Sequence, residues 1–106
     1  MPWTTLDALF LQAVHHLSRS GKDVASREIV EYADYLDHIV LTPEEFEASR
    51  KKLVQAGLVV ESGGLLSAHP VFRDWWNGYF SGRKRVDSTR EFAAIRNYLA
   101  GVPPSR

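Results

Sequence analysis

A mainly α fold with one small β-hairpin is predicted by three features of the 106-residue sequence. Apolar residues recur at helical spacing in five separate stretches. A Gly63-Gly64 pair divides two short apolar runs, Leu58-Val-Val60 and Leu65-Leu66. The third stretch lies within Thr42 to Glu61, which reads as a capped amphipathic helix, a glycine stop and the start of a strand. A helix followed at once by a hairpin is the second half of a winged helix-turn-helix. The expected architecture is therefore a winged helix-turn-helix over residues 1–69, a helical extension over 70–100 packing on the same domain, and a flexible tail over 101–106.

The Thr42 to Glu61 stretch is expected to be the centre of the fold. Thr42 and Glu45 form a capping box, and Pro43 falls at the first helical position, where its missing N–H costs nothing. Phe46, Ser49 or Arg50, Leu53 and Ala56 line one face, and Gly57 supplies the left-handed residue that stops the helix. Upstream, Leu6, Leu9, Phe10, Ala13, Val14 and Leu17 define the core face of a first helix from about Thr5 to Arg19, opened by Thr4 with Asp7. Its opposite side carries Ala8, Leu11, Gln12 and His15. Leu11 is out of place there, because burying it is worth roughly 1.5–3 kcal/mol and the core face does not do so. A second surface is expected to cover it.

Ser20 to Asp23 reads as a turn and Val24 as a brief strand contact, before Ser26 caps a helix running to about Leu36 with Ile29, Val30, Ala33 and Leu36 buried. Ile39, Val40 and Leu41 predict a connection packed on the core. After the hairpin, Pro70 marks a break. Val71 to Phe80 follows as an aromatic helix with Phe72, Trp75 or Trp76, Tyr79 and Phe80 on its stripe, weakened at Gly78 by about 1 kcal/mol relative to alanine. Ser81 to Asp87 is a basic loop. Ser88 with Glu91 predicts a capping box for a last helix built on Phe92, Ile95 and Leu99, with Tyr98 beside them.

Asp34, Leu36, Asp37, His38, Ile39, Thr42, Glu44 and Glu45, continuing through Leu53-Val-Gln-Ala-Gly-Leu58, resemble a group of small uncharacterised bacterial winged-helix proteins. The resemblance spans Ala33 to Leu58 and implies the fold alone, since the group carries no established biochemical activity. Extra helices flanking such a unit commonly serve for dimerisation in the bacterial regulators that it resembles.

Composition narrows the function. Thirteen basic and thirteen acidic residues cancel, so no overall positive field draws the chain to nucleic acid. There is no cysteine, hence no disulfide or thiolate zinc site. No apolar run reaches ~18 residues and no charged leader precedes one, so a membrane span and a signal peptide are not expected; a cytoplasmic protein is.

The first functional reading is a non-enzymatic, regulator-like module that associates through its terminal helices and has double-stranded DNA as a candidate partner, with Lys22, Arg27, Arg50, Lys51, Lys52, Arg83, Lys84 and Arg85 as candidate phosphate contacts. Against it, Glu44, Glu45 and Glu47 crowd the start of the helix that would enter the groove, and the hairpin tip Glu61-Ser-Gly-Gly64 is short and acidic. The alternative is a winged-helix protein-interaction module without DNA binding. In either reading the interface would draw on Leu11, Trp75, Trp76, Tyr79, Phe92 and Leu99, with a homodimer or another protein as partner. Asp34 and His38, four apart, read as a structural pair at a helix end. His15 and His16 are adjacent and diverge. Neither has the spacing of a metal site or an adjacent nucleophile, so no catalytic residue, metal or cofactor is expected.

Overall fold

The computed structural model describes residues 3–19, 22–37, 39–81 and 87–103, with backbone alone at 36 and 37. Among them are five helices, α1 (Thr5–Ser18), α2 (Ser26–Asp37), α3 (Pro43–Gln55), α4 (Pro70–Tyr79) and α5 (Ser88–Ala100). A two-stranded antiparallel sheet, β1 (Val59–Ser62) and β2 (Leu65–Ala68), lies between α3 and α4.

Local chemistry explains most of the boundaries. Thr4 and Asp7 form a reciprocal capping box at α1, and Thr42 and Glu45 form another at α3, with Pro43 just inside. At the far end of α3, Gly57 has φ +76°, its N–H donates to Val54 O, and Leu58 N–H donates to Leu53 O. This is a Schellman closure, which satisfies two carbonyls otherwise left without helical partners. Gly63 and Gly64, at φ +59° and +81°, form the two-residue turn that pairs Ser62 with Leu65. Positive φ at both central positions matches the right-handed twist of a hairpin. Val24 adds a one-residue third strand to the other edge of β2, bonded both ways with Leu66 at 2.7 and 2.8 Å.

Three caps differ from expectation. Ser26 is the first helical residue of α2 and Ala25 supplies the carbonyl before it. Pro70 opens α4 instead of marking a gap, and the His69 ring accepts from Val71 N–H at 3.0 Å. Asp87 caps α5 by accepting from Arg90 N–H at 2.8 Å, because Glu91 is turned inward to meet α1.

The larger correction concerns the centre of the molecule. Every residue from Asp7 to His15 is buried, so α1 has no solvent face over more than two turns. α2, α3, β2 and α5 all pack on it. Leu11 is fully buried. The side expected to await a second molecule is covered by the same chain: Gln12 donates to Ser88 O on α5, and the His15 ring packs on Phe72 and Trp76 of α4. The stretch from Thr42 to Glu61 is thus one wall around α1, not the hub. In the connection before α3, Leu41 is buried and Ile39 partly so, whereas Val40 is 71% exposed. The C-terminal segment is docked as far as Val102: Trp3 Nε1 donates to Val102 O at 2.8 Å and Val102 packs on the core. Residues 104–106 lie outside the described residues.

Candidate functional site

The surface with the most distinctive chemistry is built on α4. Val71, Trp75 and Tyr79 follow one another by four residues and so share one side of that helix. Val71 is 50% and Tyr79 45% exposed, while Trp75 is half-buried. Trp75 is fixed by the Tyr98 ring of α5, 4.5 Å between centroids, and by Tyr79 at 5.2 Å. The adjacent Trp76 points the other way, into the molecule, with its centroid 4.1 Å from that of His15 and 4.5 Å from that of Phe80. Two neighbouring tryptophans therefore divide between a presented face and the core.

Beside this face, a recess of about 300 Å³ is lined by His15, Arg19, Arg73, Trp76 and Asn77. His15 is only 4% exposed, and neither ring nitrogen has a hydrogen-bond partner. Burial, with lesser contributions from His16, Arg19 and Arg73, holds its pKa down to about 3. The imidazole is accordingly neutral at pH 7. Arg73 Nε is also buried without a partner, while its Nη2 donates to Ser18 O at 3.4 Å. His16, although adjacent to His15, faces α5, with Nε2 2.7 Å from Glu91 Oε1. Gln12 donates to that same carboxylate oxygen at 3.2 Å.

A third polar cluster joins α1 to α3. Asp7 is fully buried; its Oδ1 accepts from Ser49 Oγ at 2.7 Å, and its Oδ2 accepts from Thr4 N–H at 2.8 Å and from Lys52 Nζ. The Lys52 ammonium also sits over the Trp3 ring, 5.8 Å from its centroid. This buried charge is fully hydrogen-bonded, which suits an architectural tie.

The residues proposed for phosphate contact are mostly occupied. Lys52 is tied to Asp7, Arg50 meets Glu47 and Glu61 at 2.8 Å each, Lys22 meets Glu28 at 3.0 Å, and Arg27 lies 3.7 Å from Glu31. The guanidinium of Arg50 lowers the pKa of Glu47 through their hydrogen bond, so both stay charged and paired. Lys51 is exposed and has no carboxylate partner among the described residues. Arg83, Lys84 and Arg85 lie outside the described residues, as does His38 of the Asp34–His38 pair.

Of the residues proposed for an interface, Leu11 and Leu99 are buried in the chain's own core and Trp76 is 8% exposed, so none of the three presents a docking surface. Trp75 and Phe92 are half-buried, with the Arg96 guanidinium 6.0 Å from the Phe92 ring centroid, and Tyr79 is exposed. The sequence reading did not find the recess or the Asp7 tie. A signal was present in the first helix, where Ala8 and Leu11 carry apolar surface onto the supposed outer side, wider than a single core face requires. Among the described residues no group of three His, Asp or Glu side chains is placed to hold a metal ion. No helix of the described residues is long and apolar enough to cross a membrane.

Comparison of the chain with protein-family models, with curated proteins and with solved structures finds no match.

Proposed function

We propose that the protein is a non-enzymatic association module of the winged helix-turn-helix type, and that it pairs with a second copy of itself through the outer face of α4. The observation that carries this reading is the Val71, Trp75, Tyr79 line. It is an aromatic stripe about 12 Å long at 1.5 Å per residue, held rigid by Tyr98 yet presented to solvent at both ends. Rigid, half-buried aromatics are the side chains that anchor interfaces at low entropic cost. A second copy suits it because the chain has zero net charge, so like molecules do not repel. A helix stripe packed on its own two-fold mate also closes without leaving an open end.

The winged-helix assignment is supported by the order of elements: helix, single-residue strand at Val24, two helices, and a hairpin whose β2 pairs with that strand. In such folds the helix corresponding to α3 enters the DNA groove. The pairing of Arg50 and Lys52 with carboxylates, together with Glu44, Glu45 and Glu47 along the first turns of α3, favours the module without DNA binding.

Sedimentation over a wide concentration range tests the reading. The wild-type chain should dimerise with rising concentration, and Tyr79→Glu and Val71→Glu, both at exposed positions, should remain monomeric and folded. A wild-type chain that stays monomeric throughout sinks the proposal. Titration of mixed duplex DNA at low salt should show no salt-sensitive binding; a steep salt slope, flattened by about one unit in Lys51→Gln, would replace this reading with the DNA-binding one.

A further inference from the structure

We propose that the recess between the C-terminal end of α1 and the inner flank of α4 is a binding site for a small oxyanion, a carboxylate or a phosphate. Its principal contacts are His15, Arg73 and Arg19. Three independent observations converge on that chemistry.

First, the recess holds buried polar atoms without partners. Both His15 ring nitrogens and Arg73 Nε lack hydrogen bonds. A neutral imidazole always carries one N–H, and a guanidinium Nε always carries one. Buried donors of this kind are almost always matched in folded proteins, because leaving one unmatched costs about 1–3 kcal/mol. The two N–H groups call for acceptors, while the other His15 ring nitrogen is itself an acceptor.

Second, the charge of the recess is unbalanced. Lys22, Arg27, Arg50 and Lys52 each have a carboxylate partner, but Arg19 and Arg73 have none among the described residues, and no Asp or Glu lines the recess. Both guanidiniums lie close enough to His15 to disfavour its protonation. Water could satisfy the donors, whereas a bound anion would also offset the charge of the half-buried Arg73 and of Arg19 at the rim. Arg73 Nε–H and the His15 N–H supply donors from two different helices, and Arg19 adds a second cation at the rim, where its Nη1 lies 3.5 Å from His16 Nδ1.

Third, size and shape limit the ligand. About 300 Å³ is at the small end of ligand pockets and sufficient for phosphate or a benzoate-sized acid. Trp76 forms a flat apolar wall, which an aromatic carboxylate would use and inorganic phosphate would not.

The test is titration of the full chain with inorganic phosphate, acetate and benzoate, followed by NMR of the His15 ring and the Arg73 Nε–H group and by tryptophan fluorescence. Saturable binding is expected for at least one probe, with the largest shifts at His15 and Arg73. Arg73→Gln should weaken it by about tenfold or more, the scale of one charge-assisted hydrogen bond, about 1.4 kcal/mol. Where Arg73→Gln alters the circular dichroism, Arg19→Gln at the exposed rim and His15→Phe within the core serve in its place. Benzoate bound more tightly than acetate would identify an aromatic acid, whereas phosphate bound more tightly than either acid would identify a phosphorylated ligand. Tyr79→Glu should bind as wild type, which separates this site from the association face. Absence of saturation by all three probes overturns the proposal. Shifts spread evenly over surface arginines, or affinity unchanged in Arg73→Gln and Arg19→Gln, overturn it equally.

Discussion

Lys52→Met isolates the tie between α1 and α3. Asp7 has a side chain 1% exposed, and three donors hold its charge: Thr4 N–H, Ser49 Oγ and Lys52 Nζ, the last on a side chain 17% exposed. Methionine keeps the apolar stem of lysine but removes the cation beside Asp7 and Trp3, leaving a buried carboxylate with two neutral donors. Breaking a buried pair by removing one partner costs about 3–5 kcal/mol, and the two remaining hydrogen bonds bring the expectation to about 2–4 kcal/mol. Asp7→Asn should cost less, about 1–3 kcal/mol, because the freed ammonium can turn to solvent while the amide still accepts from Ser49. Combining the two removes both charges of the pair, so the double variant should be more stable than the sum of the single losses predicts, by about 1–3 kcal/mol. Urea unfolding at pH 7, followed by tryptophan fluorescence, measures all three. At an m-value of about 1–1.5 kcal/mol/M, Lys52→Met should shift the midpoint by roughly 2 M. Lys51→Met, one residue away and exposed, should fall within about 0.5 kcal/mol of wild type. If Lys52→Met is equally mild, or if the losses simply add, Asp7 and Lys52 are not the coupled pair described here.

Three further outcomes are expected. The pKa of His15 lies near 3 in the folded chain against 6.5 ordinarily, so the unfolded chain takes up its proton first as pH falls. The stability from neutral His15 is thus complete above pH 6.5 and lost progressively toward pH 3. His16, Arg19 and Arg73 bear on it electrostatically while Trp76 and Asn77 line the same recess. The wild type should lose about 2 kcal/mol more than His15→Phe between pH 6.5 and 5, measured as the difference between their urea midpoints; parallel curves would contradict a buried neutral His15. Leu11→Ala should destabilise by about 2–5 kcal/mol in thermal or urea unfolding without changing the oligomeric state, since the residue lies in the core and not at an interface. Gly64→Ala should cost about 1–2 kcal/mol in the same measurement, because φ is +81° and no neighbouring atom lies within 4 Å of the added methyl group. A neutral result would mean that the turn relaxes to another type.

Legibility followed the range of the interaction. The capping boxes at Thr4 and Thr42, the stop at Gly57 and the turn at Gly63-Gly64 depend on atoms no more than five residues apart, and all are seen as expected. Val24 was also legible, because an apolar residue between a turn and a helix has few roles besides a strand contact. Ser88 shows where local reasoning stopped. Its capping box was locally sound, but Glu91 makes hydrogen bonds to His16 and Gln12, 75 and 79 residues away, and Asp87 takes over the cap.

The sequence alone determined the kinds of element, their order and most of their ends, because helix and strand periodicities and caps are set within a turn or two of chain. Tertiary structure alone decided what surrounds the first helix. Its core face was readable, but the burial of Leu11, Gln12 and His15 depends on α4 and α5 returning to close the other side. Long-range pairing also decided which charges are spent. Asp7 takes Lys52 from 45 residues away, and Glu61 takes Arg50 from 11 away, whereas Arg19 and Arg73 are left facing a common recess without a carboxylate. Periodicity tells a residue which side of its helix it lies on. Only packing determines whether that side meets water, another helix, or a neighbour of opposite charge.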